Sequence, residues 1–188
     1  MYFFYEREFY VLSNFSAFEL EWRGQIFKTS EHAYHWAKFA GESPATAAAV
    51  GAAHSAHDAF RIAGDRRHLR RPDWDQIKVS VMREILTLKA AQHEYVRRKL
   101  AETGSRTLVE NSWRDDYWGW GKNGDGQNML GRLWMEVRAA LPPAPDAENE
   151  NLPAAFALRG LNQRDPQIRE RVNELLEDGA PDAEGEGL

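Results

Sequence analysis

DWDQIKVSVMREILTLKAAQ, residues 73–92, is the stretch whose periodicity decides the fold. Trp74, Ile77, Val81, Ile85 and Leu88 recur at three- and four-residue intervals, and Val79, Met82 and Leu86 widen the stripe. This predicts a long amphipathic helix that must bury one face against other elements. Downstream, a helix is expected over Glu94–Glu102, then an extended piece over Thr107–Glu110. A last helix begins near Asn128, buries Leu130, Leu133, Trp134, Val137 and Leu141, and is stopped by Pro142-Pro143. Upstream, AFELEWRGQIFK (residues 17–28) alternates apolar and polar residues around Arg23-Gly24, a β-hairpin signal. Thr29 and Ser30 offer caps for a helix running to about Ala40 with Gly41 as its stop, and Ser43-Pro44 opens another. The expected fold is therefore mainly helical α+β, a single domain with a small antiparallel sheet.

That domain is expected to occupy residues 1–142. Residues 143–188 read as an acidic, Pro/Glu-rich tail with one candidate short helix over 166–176. The charge divides at the same place: residues 1–142 carry 20 Lys+Arg against 18 Asp+Glu, and residues 143–188 carry 4 against 11. A body so close to neutral gives no global case for nucleic-acid binding, which usually shows as a strongly basic domain or face. One local exception is Arg61, Arg66, Arg67, Arg70 and Arg71 with His68, which reads equally as a solvated surface or as a phosphate-binding one. The chain has no cysteine, which removes disulfides, thiolate nucleophiles and cysteine-ligated zinc from consideration. With no long apolar run and a charged N-terminal segment, a cytoplasmic protein is expected.

The chemistry concentrates in SEHAYHWAKFA, residues 30–40. On a helical wheel Glu31, Tyr34, His35 and Lys38 share one arc, opposite Ala33, Trp36, Ala37 and Ala40. Taken alone, such a face is more often an ordinary solvated one with an i,i+4 Glu–His pair than a catalytic one. Glu31 also falls in the first turn, where the helix dipole favours an anion. His32 and His35, with His54, His57 and Asp58, repeat no known metal-ligand spacing, so neither a metal nor a cofactor is expected.

A second candidate is ENSWRDDYWGWGKNGDGQNMLG, residues 110–131, where Gly119, Gly121 and Gly124 match G-x-G-x-x-G by letter. The dinucleotide reading fails because no hydrophobic strand precedes the motif and it runs into Asp125-Gly126 instead of opening a helix. The glycines would instead let a loop pass close to a ligand, with Asp115, Asp116, Trp118 and Trp120 on it. Trp118 and Trp120 suit stacking on a planar base, though each could equally pack into the core.

These segments, in this order, resemble the NADAR (YbiA-like) N-glycosidase family. The resemblance is carried by Leu12-Ser13-Asn14-Phe15, by Phe27 through Lys38 with Ser30-Glu31-His32-Ala33-Tyr34, and by Trp74, Lys78 and Met82. It continues through Thr103-Gly104, Leu108-Val109-Glu110, Asp115 with Trp118-Gly119 and Gly121, and Gly126, Asn128, Leu130-Gly131, Met135 and Arg138. It covers about residues 3–141. Ala90 departs from it, standing where a phenylalanine commonly follows the lysine matched by Lys89.

The resemblance implies hydrolysis of the bond between ribose and a planar base. The substrate would be a phosphorylated ribosylamino-pyrimidine intermediate of riboflavin biosynthesis or ADP-ribose on guanine in nucleic acid. By resemblance Glu31, Lys38 and Asp115 would be catalytic, and Asn14, Tyr34, Trp74, Trp118, Gly119 and Asn128 would bind substrate. Arg66, Arg67, Arg70 and Arg71 would be the phosphate-binding candidates. Two other classes compete: a catalytically silent module that binds ADP-ribose or a nucleotide, and a partner-binding protein acting through its tail. Retention of Glu31, Lys38 and Asp115 speaks against the silent module.

Overall fold

A computed structural model of the chain describes residues 1–4 and 9–141. Its elements are β1 (Tyr2–Phe4), β2 (Leu20–Trp22), β3 (Gln25–Phe27), α1 (Ser30–Ala37), α2 (Pro44–Gly51), α3 (Ala56–Asp65), α4 (Trp74–Gln92), α5 (Glu94–Glu102), β4 (Leu108–Glu110) and α6 (Met129–Ala140). The candidate tail helix over 166–176 lies outside the described residues. None of the described helices is long and apolar enough to cross a membrane.

The helix that decides the fold is present as predicted. α4 buries Trp74, Val81, Met82, Ile85 and Leu86, and it packs on α1, α5, α6 and β2. Trp134 of α6 is fully buried and donates its indole N–H to the Leu12 carbonyl at 2.8 Å, tying the loop that carries Asn14 to the last helix. Removing so large a buried ring costs about 3–5 kcal/mol. The β2–β3 hairpin turns through Arg23 (φ 51°) and Gly24 (φ 73°), two successive left-handed residues whose twist matches that of the strands.

Three features differ from the sequence-based expectation. Beside the expected antiparallel β2–β3 pair stands a second, separate two-stranded sheet: β1 pairs in parallel with β4, Tyr2 opposite Leu108, a contact between segments too far apart in the chain to be read locally. A helix not anticipated, α3, is started by Ser55, whose hydroxyl accepts from the Asp58 N–H at 3.1 Å and donates to the Asp58 carboxylate at 2.7 Å. The helix expected to reach Ala40 ends at Ala37, and turns follow through Gly41 at φ 93°. Those turns bring Phe39 into a second small core with Ala47, Val50, Ala53, Ala59 and Ala63, where alanines let α2 and α3 approach the end of α1 closely.

Candidate active site

The site is organised by α1, and the decisive observation is that this helix is buried on nearly every side. Ser30, Glu31, His32, Ala33, Tyr34, His35 and Ala37 are all buried. The polar arc read on the wheel is therefore not an ordinary solvated face. It is enclosed by neighbouring elements, and the alanine-rich opposite side packs in the core. Thr29 caps α1 by accepting from the His32 N–H at 3.3 Å, and the Glu31 N–H is satisfied by the Asn14 carbonyl at 3.1 Å. His32 is bound on both ring nitrogens, to Thr29 Oγ1 at 2.8 Å and to the Ala53 carbonyl at 3.2 Å, so it is a structural residue.

Glu31 Oε1 and His35 Nε2 are 2.7 Å apart, with both side chains buried. Burial lowers the His35 pKa against the opposing pull of Glu31, which favours the neutral ring. His35 was visible as the i,i+4 partner of Glu31, yet its place inside the site needed the fold. Next along the arc, Tyr34 stands edge-on to Trp74 and Trp118, at centroid distances of 5.0 and 5.5 Å, and burial pushes its phenol pKa up. The Lys38 Nζ lies 4.8 Å from the Tyr34 ring centroid and 5.6 Å from that of Trp74. Burial lowers its pKa to about 8, opposed by Glu31 and Asp115 and reinforced by the positive charges of Arg70 and Lys78.

Asp115 Oδ1 accepts from the N–H groups of Tyr117 at 2.9 Å and Trp118 at 2.8 Å, an Asx-type turn that sets Trp118 against Tyr34. Its charge acts on Tyr34 and Lys38, so Glu31, Tyr34, Lys38, Trp74, Asp115 and Trp118 converge, and Asn14 joins them through its backbone carbonyl on the Glu31 N–H. Two other predicted residues serve the backbone. Asn128 uses both ends of its amide on β4, accepting from the Glu110 N–H at 2.9 Å and donating to the Leu108 carbonyl at 2.8 Å. At Gly119 an added Cβ would lie 2.8 Å from Ser112 Cβ and 2.9 Å from the Asp115 carbonyl, so the close approach there is to the loop itself.

The arginines divide. Arg70 pairs with Asp75 at 2.8 Å and Arg71 with Asp73 at 2.6 and 2.9 Å, while Arg66 and Arg67 are exposed with no ion pair among the described residues. The Arg71 N–H also donates to the Lys38 carbonyl at 2.8 Å, which fixes the end of the α1 segment.

Two buried charges escaped the sequence-based choice of site residues. Glu110, on β4, is 6% exposed, and burial raises its pKa to about 8 with Glu31 and Asp115 adding to the shift. Lys89 is fully buried, donates to the Ser13 carbonyl at 2.8 Å and to Ser16 Oγ at 2.7 Å, and has its pKa lowered to about 7 by burial. A single glutamate closing a short strand, or a lysine on an amphipathic helix, carries no sequence signal of burial.

The chain as a whole matches a known family. A NADAR domain model fits residues 2–142. The chain belongs to the NADAR family. Escherichia coli YbiA, named an N-glycosidase, is 37% identical over 129 residues, spanning 69% of this chain and 79% of that protein. The solution NMR structure of Escherichia coli YbiA superposes with a TM-score of 0.67 at 31% identity, covering 87% of this chain and 90% of that one. A Vibrio vulnificus protein named as a riboflavin biosynthesis protein is 36% identical over 130 residues, 69% of this chain but 35% of that longer protein. The NADAR resemblance read from the ordered motifs and the mainly helical α+β fold both hold.

Proposed function

We propose that this NADAR chain is an N-glycosidase that cleaves the bond between a phosphorylated ribose and a planar base. The observation that carries the reading is the enclosure of Glu31, His35 and Lys38 beside Tyr34, Trp74 and Trp118. Relatives named N-glycosidases support it. Trp74 and Trp118 frame the base, Asn14 hydrogen-bonds the substrate, and Asp115 orients substrate or water. The absence of cysteine fits a reducing, cytoplasmic setting.

Lys38 acts as the nucleophile. Its amine, partly neutral near pH 8 because of burial, attacks the anomeric carbon as the base departs; Glu31 takes the amine proton and passes it to the departing base. The remaining Nζ proton moves to the ring oxygen as its bond to the anomeric carbon breaks, which opens the sugar and leaves an imine between Lys38 Nζ and the former anomeric carbon. Water then hydrolyses that imine, returning the amine and releasing the free sugar. His35 holds the Glu31 carboxyl oxygen throughout.

The substrate is a phosphorylated ribosylamino-pyrimidine of riboflavin biosynthesis or ADP-ribose on guanine, both of which join phosphorylated ribose to a planar base. Incubation of the protein with each, with free base and free sugar read by mass spectrometry, tests the reading. Release of both products from at least one substrate is expected. Failure to cleave either at high protein concentration overturns it.

A further inference from the structure

Four buried side-chain atoms lack a hydrogen-bond partner among the described residues: Asn14 Oδ1, Ser30 Oγ, His35 Nδ1 and Glu110 Oε2. A buried polar atom left unpaired is costly, so it marks either strain or a place where a ligand atom belongs. Ser30 and His35 belong to α1, Asn14 to the loop bound to α1, and Glu110 to β4, within reach of the Glu31 charge. Asn14 gives its carbonyl to the Glu31 N–H, and its neighbour Ser13 gives its carbonyl to Lys89 Nζ. Glu110 lies within electrostatic reach of both Glu31 and Lys89. Its backbone is pinned on both sides, by Asn128 Oδ1 at its N–H and by the Trp120 N–H at its carbonyl, so the side chain projects from a fixed anchor.

We propose that Glu110 and Asn14 form the ribose-recognition pair of this site, holding the two vicinal hydroxyls of the sugar and selecting ribose over 2-deoxyribose. The inference rests on the N-glycosidase reading for the sugar that enters the site. The chemistry of the pair fits a diol. The Asn14 amide oxygen accepts from one hydroxyl, while its Nδ2 stays on Met82 Sδ, a weak acceptor 3.5 Å away. A Glu110 carboxyl kept neutral by burial, with the negative charges of Glu31 and Asp115 nearby and Lys89 opposing them, offers one O–H donor and one acceptor oxygen to the other hydroxyl. A 2-deoxy sugar leaves one of these buried groups unpaired, and such a site rejects it more strongly than an apolar pocket would.

The test is equilibrium binding of ribose 5-phosphate and 2-deoxyribose 5-phosphate to the full chain, read by calorimetry. The wild type is expected to prefer ribose 5-phosphate by at least about tenfold. Glu110→Gln, which keeps a donor and an acceptor, is expected to retain most of that preference, and Glu110→Leu to bring the ratio to about one. Asn14→Ala reads the same ratio independently if Glu110→Leu does not fold. No preference in the wild type, or an unchanged ratio in folded Glu110→Leu or Asn14→Ala, overturns the proposal. A preference that collapses as expected, in a protein that releases no base, leaves the ribose pair standing and removes the N-glycosidase reading instead.

Discussion

Nε2 of His35 lies 2.7 Å from Oε1 of Glu31, one helical turn apart, with neither residue more than 7% exposed. Because burial favours the neutral imidazole, the ring donates its Nε2 proton to the carboxyl group and keeps Nδ1 as an acceptor. The contact fixes one Glu31 oxygen and leaves the other for chemistry. Glu31→Gln is expected to preserve the fold and to lower turnover at least about a hundredfold, the scale for loss of a positioned acid/base group. Turnover within a few-fold of wild type, with an unchanged melting temperature, would remove Glu31 from the mechanism.

Lys38 supplies a pH-dependent prediction. With a pKa lowered to about 8, about a tenth of the amine is free at pH 7 and most of it at pH 9. The rate of the covalent step should therefore rise with pH through about 8. Borohydride added during turnover should trap a sugar adduct on Lys38, visible as an added mass on its tryptic peptide. Lys38→Arg keeps the charge but cannot form the imine, and it is expected to be as inactive as Lys38→Ala. Robust activity in Lys38→Arg with no trapped adduct would leave direct attack by water.

The arginine surface separates the two substrate classes. Arg66 and Arg67 carry no ion pair among the described residues, whereas Arg70 and Arg71 are each held by an aspartate. If the modified base is carried on nucleic acid, Arg66→Ala and Arg67→Ala should each weaken binding and reduce the salt slope by about one unit. Cleavage of a small ribosylamino-pyrimidine phosphate should be unchanged. An unaltered salt slope with a nucleic-acid substrate would show that these side chains do not meet its phosphates.

Glu110 makes stability depend on pH in a definite direction. Its pKa in the folded chain is about 8 against an unfolded value of 4.5, so between those limits the folded state binds the extra proton. Its contribution is therefore most favourable below about pH 4.5 and is lost as pH rises towards 8. Relative to wild type, Glu110→Gln should gain stability progressively over that window and stay level above it, as measured by urea unfolding at a series of pH values. A difference that does not change with pH would mean that the carboxyl group titrates normally.

Much of this protein was legible before its fold was seen. The stripe Trp74-Ile77-Val81-Ile85-Leu88 determined α4, Leu130-Leu133-Trp134-Val137 determined α6, and Arg23-Gly24 determined the hairpin, because each is a local pattern repeated at the period of its element. The ordered motifs determined the family. A helical wheel also established that Glu31, Tyr34, His35 and Lys38 share a face, since that follows from helix geometry alone. What it could not establish was what covers that face. Burial of α1 depends on α2, α3 and α4 packing around it and on Asp115 setting Trp118 against Tyr34, contacts between segments distant in the chain. The lowered pKa of Lys38 and the raised pKa of Glu110 follow from the same enclosure, because removal from water penalises whichever form is charged, and only the tertiary structure decides which side chains are removed.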